Sequence, residues 1–409
     1  MGRSNFKSTI TLRALIPYLI IYRALGLLPM KFTQRSNSKL FDFQRYRELS
    51  WWRSLNFTRI YSACVVLLAT AFLFDNLASL ESQKSSDIVG LLEIADRSSI
   101  SLNVFITSVL CFCYLGKRLS ILVTKMIECE QQLTTIDCYL QDRLAVYCWI
   151  VLAIGGAATV LNELAVNLKY VRYPFNTTVN VEDHSIPLVI FRSMMTPFAA
   201  GFMPFVDFSV INLSLIFAAY QKQLRRKIEH WALLELEAKE SLRLTYWKVQ
   251  ALISEADDIF SPIILIESLS IVAHLTLQIN ILTGSRIESS LFLEQDKRHA
   301  LTATAITTAY LIIRFVASSL FAEMIHREKF KSQRSLYEQS GKVFDVNDLE
   351  LLLTKRFVHQ LTLPSGFTGC GFFTLGKSYL IAMCGTILTY EIVLMDMAKT
   401  EQRASLDAH

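Results

Sequence analysis

Long apolar stretches dominate this sequence and restrict the chain to one class of fold. Several of them run for about 18 to 25 residues, the length that an α-helix needs to cross a bilayer core of about 30 Å. Hydrophobic residues make up 52 % of the 409 residues, and the mean hydropathy is +0.35. Membrane β-strands would instead alternate apolar and polar residues. The sequence therefore predicts an all-α polytopic membrane protein.

Seven membrane spans are predicted, at residues 60–80, 100–122, 144–168, 186–220, 259–282, 300–321 and 378–397. A further apolar run at residues 12–30 is broken by Arg13, Pro17, Arg23 and Pro29. Because charges and prolines interrupt it, we interpret this run as an interfacial or re-entrant helix. An eighth span, which would invert the topology, stays open as the alternative.

The distribution of basic residues predicts the orientation. Of the 41 Lys and Arg residues, 30 fall on the side of the N-terminus, where Lys117 and Arg118 at the end of the second span are included, and nine fall on the opposite side. The positive-inside rule then places the N-terminus in the cytoplasm and the C-terminus outside the cell. The glycosylation acceptor Asn176 falls in an outer loop, in agreement with this topology. The orientation is the reverse of a G-protein-coupled receptor, so that class is disfavoured.

The loops divide the chain into segments of expected location. We expect a cytoplasmic N-terminal region with the interfacial helix (1–59), spans one to four (60–220), a cytoplasmic amphipathic helix (221–258), spans five and six (259–323), a cytoplasmic anchor segment (324–377), span seven (378–397) and an extracellular tail (398–409).

Two cytoplasmic stretches, residues 226–260 and 347–361, show the periodicity of amphipathic helices. The second should pack through Leu349, Leu352, Leu353 and Phe357. Both stretches need a partner surface, which we expect to be each other and the same segments of sister subunits. A charged face that is simply solvated is the alternative.

Metal, cofactor and enzyme chemistry find no support in the sequence. The eight cysteines fall in spans or cytoplasmic loops, so we expect reduced thiols and no disulfides. No Cys-x-x-Cys pair or histidine cluster offers a metal site, and no nucleophile–base constellation is visible. We therefore expect no cofactor, no catalytic residue and no nucleic-acid partner.

The seventh span carries a mixed stripe of side chains. Helical spacing puts Thr389, Val393, Asp396 and Met397 on one face and Glu391 on another. Such a stripe suits a pore lining, and it equally suits ordinary helix packing.

The same span carries a family motif. Residues 385–395, GTILTYEIVLM, resemble the last span of the arthropod gustatory receptors, which typically ends in Thr-Tyr, five mostly apolar residues and then Gln-Phe. Glu391, directly after Thr-Tyr, is similar to the sugar-responsive branch. The chain departs from the pattern at Asp396 and Met397, which replace Gln and Phe. Looser matches lie at residues 14–29, 205–207, 247–265, 314–316, 318–322, 363–366 and 372–373.

The resemblance implies a taste receptor of the plasma membrane that acts as a ligand-gated, non-selective cation channel. Family members are similar to tetramers in which each subunit contributes its seventh span to one central pore, and this chain could form homotetramers or heteromers with related receptors. The motif then assigns the gate to Val393 and Met397 and the polar pore position to Asp396, with Thr389 on the same face. Apolar constrictions stop ions by dewetting, and an acidic ring favours cations. The alternative is that Asp396 merely caps the helix at the water interface.

The resemblance also implies a ligand pocket among spans two to six that opens to the outside. Polar residues in the outer halves of the spans are costly and therefore functional candidates. They are Asn162, Glu163, Arg192, His274, Gln278, Thr307 and Tyr310. A saccharide needs several hydrogen-bonding groups over an apolar floor. For each residue, an interhelical hydrogen bond is the alternative.

Three charged residues lie deeper in the spans. We interpret Asp207, Glu267 and Arg314 first as structural partners and second as ligand contacts. Two other functions remain open: a gustatory channel for a tastant other than a sugar, and a membrane carrier. A carrier would be expected to show broken helices and internal repeats.

Overall fold

The computed structural model describes residues 9–24, 57–82, 88–172, 186–282, 294–340 and 348–407, and these are helical almost throughout. The helices are α1 (Ile10–Ala24), α2 (Phe57–Ser82), α3 (Ile88–Leu110), α4 (Gly116–Thr135), α5 (Arg143–Arg172), α6 (Ile186–Ile228), α7 (Leu236–Leu282), α8 (Glu294–Ser340), α9 (Asp348–Thr362) and α10 (Lys377–Asp407). A π-helical turn, Cys111–Leu115, joins α3 to α4 without a break in direction.

Every predicted span lies within a helix or a run of joined helices. Among the described residues, four helical segments are long and apolar enough to cross a membrane: Ser98–Leu115, Arg143–Ala165, Leu236–Ile279 and Leu301–Gln339. Ile60–Asp75 is a shorter apolar segment within α2. The chain is thus an all-helical protein with several long apolar helices, as the apolar runs predict, while the count of seven spans and its orientation stay predictions.

Helices α7 and α8 are much longer than the predicted spans inside them. Each has 47 residues, which corresponds to about 70 Å at 1.5 Å per residue. A bilayer core is only about 30 Å thick. The residues next to the apolar parts are rich in Glu, Lys, Leu and Ala, which favour helix regardless of solvent. Both helices are therefore longer than a bilayer core requires and continue past the predicted spans.

The amphipathic helix predicted at residues 226–260 is wrong in its first ten residues. Helix α6 continues to Ile228, and a 3-10 turn, Trp231–Leu233, leads to the start of α7 at Leu236. Leu234 is extended, with φ −82° and ψ 143°. The chain must reverse direction here because α6 and α7 pack against each other, and the fully buried Trp231 fixes the turn.

An aromatic cluster joins this turn to α9. The ring of Phe357 lies 5.2 Å from that of Trp231 and 5.4 Å from that of Tyr246 on α7. Leu353 and Leu361, one turn before and after Phe357, are also buried. We call α9, the 3-10 turn and the adjoining ends of α6, α7 and α8 the anchor region. Its helices pack against one another, as predicted for the two amphipathic stretches.

Within one subunit, only part of the predicted packing face of α9 is buried. Leu349 and Leu352 are 55 % and 47 % exposed. The buried stripe is formed by Leu353, Phe357 and Leu361. Leu349 continues the same four-residue spacing at the first turn of α9 but is exposed there, and Leu352 lies beside the stripe.

Helix α1 packs against α4, α5 and α6. The carboxylate of Glu130 on α4 accepts hydrogen bonds from the amides of Ile10 and Thr11, at 2.8 and 2.9 Å. A carboxylate at the N-terminus of a helix accepts hydrogen bonds from the free backbone amides there and interacts favourably with the positive end of the helix dipole. The described part of α1 has 15 residues, and residues 25–30 of the predicted apolar run lie outside the described residues.

A compact loop positions the start of α10. Asp257 on α7 accepts hydrogen bonds from the amide of Thr368 at 2.6 Å and from its hydroxyl at 2.9 Å. Gly371 adopts φ +76°, a conformation that favours glycine. The ring of Phe373 stacks on that of Tyr379 at 4.3 Å. The base of α10 is therefore fastened to α7 through side chains of the loop.

Candidate ligand site and pore helix

A buried charge cluster lies at the centre of the bundle. Arg314 on α8 donates two hydrogen bonds to one oxygen of Asp207 on α6, at 2.9 and 2.7 Å. It also donates to Glu267 on α7. All three side chains are at most 9 % exposed. We call these residues the charged triad, and their pairing agrees with the interpretation of structural partners.

Neutral side chains extend the charged triad to further helices. Asn103 on α3 donates to the second oxygen of Glu267 at 2.8 Å, and Thr107 donates to Asn103 at 3.0 Å. The guanidinium of Arg314 lies 5.5 Å from the ring centre of Tyr310. The hydroxyl of Tyr310 lies 2.9 Å from that of Thr159 on α5. The network therefore joins α3, α5, α6, α7 and α8.

A second group of polar side chains lies nearer the predicted outer ends of α5 and α7. Asn162 and Gln278 are buried, and Glu163 is half-buried. The side-chain carbonyl oxygens of Asn162 and Gln278 and both carboxylate oxygens of Glu163 are buried without a hydrogen-bond partner among the described residues. We call these three residues the outer cluster, because they lie toward the same predicted end of two separate helices. Buried polar atoms normally find partners, so each such atom demands an explanation.

The structure brings some of the predicted ligand residues together. Thr159 lies one helical turn before Asn162 and Glu163, and its bond to Tyr310 places α8 beside this part of α5. Thr307, one turn from Tyr310, is also buried. On α7, His274 is half-buried and lies one turn from Gln278.

Two predicted residues cannot be located. Asn176 and the side chain of Arg192 lie outside the described part of the structure. Sequence reasoning missed Thr159 and Asn103, because a single Thr or Asn within an apolar run carries no signal of its own.

The two faces of α10 differ. Tyr379, Ile387 and Glu391 are buried against the subunit itself. Thr389, Val393 and Asp396 are exposed, with Val393 at 50 %, and the side chain of Met397 lies outside the described residues. The predicted separation of Glu391 from the other stripe thus holds as geometry, and the pore role of that stripe stays a prediction.

Side-chain contacts link the charged triad to the base of α10. Phe315, next to Arg314 in the sequence, packs its ring 5.5 Å from that of Tyr379. Tyr379 in turn stacks on Phe373 of the loop. A movement of α8 at the charged triad would therefore also shift the contacts of Tyr379 in the first turn of α10.

Two cavities lined by described residues lie at the other end of the molecule. The larger, about 890 Å³, lies between α8, the end of α9 and the start of α10. The smaller, about 390 Å³, lies between the α4–α5 loop and the end of α6. Neither is lined by a predicted ligand residue, and the side chains at the outer ends of α5 to α8 lie largely outside the described set.

Comparison with known proteins identifies the family. The model of the Trehalose receptor family matches residues 158–406, more than half of the chain. The chain belongs to the Trehalose receptor family. Membership confirms the resemblance to the sugar-responsive gustatory receptors and the expectation of a chemoreceptor rather than an enzyme. No curated protein matches the chain.

Solved structures show the same fold in an insect olfactory receptor. The receptor OR5 of Machilis hrabei in complex with eugenol superposes with a TM-score of 0.74 at 16 % identity, and the alignment covers 94 % of this chain and 97 % of OR5. A second structure of OR5 gives a TM-score of 0.72 at 17 % identity with the same coverage. This family member is thus a multi-pass membrane protein with the fold of that receptor.

Proposed function

We propose that the chain is a gustatory receptor that forms a sugar-gated, non-selective cation channel in the plasma membrane. In this proposal four subunits surround one pore, each with a cytoplasmic N-terminus and an extracellular C-terminus, and α10 lines the pore. Membership in the Trehalose receptor family supports a sugar, and trehalose is the first ligand to test. The observation that carries the site is the outer cluster, whose buried oxygens have no hydrogen-bond partner among the described residues.

The chemistry of the outer cluster fits a saccharide. A sugar ring offers many hydroxyls that donate as well as accept. The buried oxygens of Asn162, Glu163 and Gln278 are hydrogen-bond acceptors that have no donor among the described residues. Buried acceptors of this kind reject ligands that cannot donate to them. His274, Thr307, Tyr310 and Arg192 are proposed as the remaining contacts of the pocket.

The exposed face of α10 supports the pore. Ile381, Leu388 and Ile392 are 73 %, 64 % and 65 % exposed, too much apolar surface for the pore lining alone. In a tetramer, part of this face would pack on the neighbouring α10 and part would border the pore. Val393 and Met397 would form the closed gate, and Asp396 the negative ring at the outer mouth.

Exposed apolar residues in the anchor region support assembly. Leu233, Trp247 and Leu349 are 84 %, 53 % and 55 % exposed on helices that lie beyond the predicted membrane. Monomeric proteins rarely leave such residues clustered in water. The same segments of sister subunits would cover them.

Gating requires that sugar binding changes the position of α10. The contacts from Arg314 through Phe315 to Tyr379 supply a continuous packed connection between the bundle and the base of α10. A coupling of about 1–3 kcal/mol between pocket and gate is typical of such transitions.

Expression of the chain alone in cultured cells tests the proposal. Current is recorded while disaccharides, monosaccharides and bitter or aromatic compounds are applied, and surface delivery is checked with a C-terminal tag that should stain on intact cells. Saccharides should evoke a cation current. Current only with bitter or aromatic compounds would replace the sugar assignment by another tastant, and staining of an N-terminal tag on intact cells would overturn the topology.

A further inference from the structure

The larger cavity carries basic groups that the channel mechanism does not use. It is about 890 Å³ in volume, and its polar lining includes Glu323, His326, Arg327, Lys329 and Lys377. Leu320 lies at the end of the predicted sixth span, and Lys377 is the first residue of α10. On the topology of the proposed function, the cavity therefore lies at the cytoplasmic surface of the membrane.

Lys329 is the most unusual of these groups. It is only 8 % exposed, yet it forms no ion pair with any residue in the described ranges. Burial lowers the pKa of its ammonium to about 8. Its Nζ atom is not among the fully buried unpartnered atoms, so the stem is packed in protein while the ammonium opens on the cavity. An anion in the cavity would supply the counter-ion that the described residues do not.

Some neighbouring basic residues are paired with acids. Arg225 and Lys331 both pair with Glu328, at 3.1 and 2.7 Å. Lys239 pairs with Glu350. By contrast, Arg327 and Lys377 resemble Lys329, since neither forms an ion pair with the part of the chain that the structure describes. Three cations without an ion pair among the described residues, Arg327, Lys329 and Lys377, thus line one cavity.

The acid in the cavity is already engaged. The carboxylate of Glu323 accepts a hydrogen bond from the backbone amide of Lys377, at 3.3 Å, at the first turn of α10. It therefore acts as a cap on that helix end. Three cations and one acid leave a surplus of positive charge in the cavity, with His326 half-buried beside them.

Apolar side chains border the same cavity. Leu320, Met324 and Phe330 are 45 %, 36 % and 68 % exposed. They occupy the side of α8 that continues upward into the predicted span. A ligand with a phosphorylated head and an acyl chain would match both parts of this lining. Basic pockets between membrane helices on the cytoplasmic side are suited to such lipids.

We propose that this cavity binds the phosphorylated headgroup of an anionic membrane lipid of the phosphoinositide class. The phosphates would bridge Lys329 on α8 and Lys377 on α10, with Arg327 at the rim. Because Lys377 begins the helix that we assign to the pore, an occupied site would hold the cytoplasmic end of α10 against α8. The lipid would then regulate opening, a consequence that rests on the proposed function.

Lipid binding is tested on the purified full-length chain in detergent. The melting temperature is measured with short-chain phosphatidylinositol 4,5-bisphosphate, with short-chain phosphatidylcholine and with soluble inositol trisphosphate. The phosphoinositide should raise the melting temperature of the wild type, because a ligand stabilises the state it binds. An equal rise with inositol trisphosphate would keep the phosphate chemistry and assign it to a soluble source. No rise with either compound would overturn the site.

Matched variants locate the site. Lys329→Met keeps the length of the side chain and removes only the charge, so the variant should fold at least as well as the wild type. Its affinity for the phosphoinositide should fall about tenfold or more, the loss expected for one charged hydrogen bond. Arg334→Gln is the control, since Arg334 lies on the same helix and pairs with Glu338 at an exposed position. An unchanged affinity in Lys329→Met and Lys377→Gln would contradict the proposal.

Regulation is tested in vesicles of phosphatidylcholine with and without about 2 % phosphatidylinositol 4,5-bisphosphate, an amount at which each channel meets many copies of the lipid. Sugar-evoked cation flux should depend on the lipid in the wild type and in Arg334→Gln but not in Lys329→Met. Equal flux in both vesicle types would overturn the regulatory role. Absence of sugar-evoked flux in every vesicle, together with a retained rise in melting temperature, would reject the proposed function and leave the lipid site intact.

Discussion

Two groups of polar side chains lie within one helix bundle and differ in how their hydrogen bonds are satisfied. In the charged triad, Arg314 contacts two carboxylates, and Asn103 completes the coordination of Glu267. In the outer cluster, the buried oxygens of Glu163 and Gln278 find no partner among the residues that the structure describes. Both groups are costly to bury in a membrane protein.

We propose that this difference separates polar groups that hold the structure together from polar groups that serve a ligand. A satisfied network fixes the packing of five helices, so the loss of any member should damage the fold. An unsatisfied group weakens the fold, and its removal should leave stability unchanged or improve it. Residues kept at such a cost are expected to serve a ligand. Each prediction below tests one side of this contrast.

The largest effect is expected at the centre of the charged triad. Arg314→Gln leaves Asp207 and Glu267 without their cation, and removal of one partner from a buried pair typically costs about 3–5 kcal/mol. The variant should fail to reach the cell surface or should melt far below the wild type. Thermal unfolding of detergent-solubilised receptor measures this directly.

Arg334→Gln is the matched control for that variant. It removes an arginine from the same helix, but the pair with Glu338 is largely exposed. Exposed pairs contribute about 0–1 kcal/mol. Similar destabilisation by both substitutions would show that the charged triad has no special structural role.

The outer cluster should respond in the opposite way. Gln278→Met replaces a buried polar side chain by an apolar one of similar length, so the melting temperature should stay level or rise. Loss of a hydrogen bond to the sugar should increase the concentration for half-maximal current by about 2- to 10-fold. Glu163→Gln should show the same combination. A fall in stability with an unchanged dose response would place these residues among the structural ones.

Thr159→Val tests the border between the two groups. The substitution removes the hydroxyl that bonds to Tyr310 at 2.9 Å and keeps the volume of the side chain. We expect a loss of about 1 kcal/mol in stability and a small shift in the sugar dose response, because Tyr310 also stacks near Arg314. A large change in sugar affinity without loss of stability would move Thr159 into the ligand site.

The smallest effect on sugar affinity is expected at the far end of α10. Asp396→Gln restores the residue typical of the gustatory receptors and should reduce Ca²⁺ permeability or block, since a ring of carboxylates attracts divalent cations. The sugar concentration for half-activation should stay the same. Reversal potentials and divalent block in matched solutions provide the measurement. Identical values in both versions would mean that Asp396 faces away from the ion path.

The sequence predicts the helices well because apolar length and charge distribution are local properties. Each apolar run lies within a helix or a run of joined helices, and the spacing after Thr389 separates Glu391 from Val393, as α10 shows. The seven-residue turn between α6 and α7 was missed, since it depends on Trp231 packing on Phe357. Local periodicity alone continued a helix through it.

The site was predicted only in part, for a related reason. Polarity within a span selects Asn162 and Gln278 as candidate ligand residues, but it does not tell whether a residue has a hydrogen-bond partner on another helix. Tyr310 was predicted as a ligand residue, yet its hydroxyl is engaged by Thr159. Satisfaction of hydrogen bonds is a tertiary property, and it is what divides the two groups.

Reconstitution of the purified chain in a planar bilayer tests the central claim most directly. Trehalose is added to the side that carries the C-terminus, and conductance is compared for the wild type and Gln278→Met at equal protein density. The account predicts a cation-selective conductance that rises with trehalose and requires about 2- to 10-fold more sugar in the variant. A conductance that ignores trehalose and other saccharides, or an identical dose response in the variant, would contradict it.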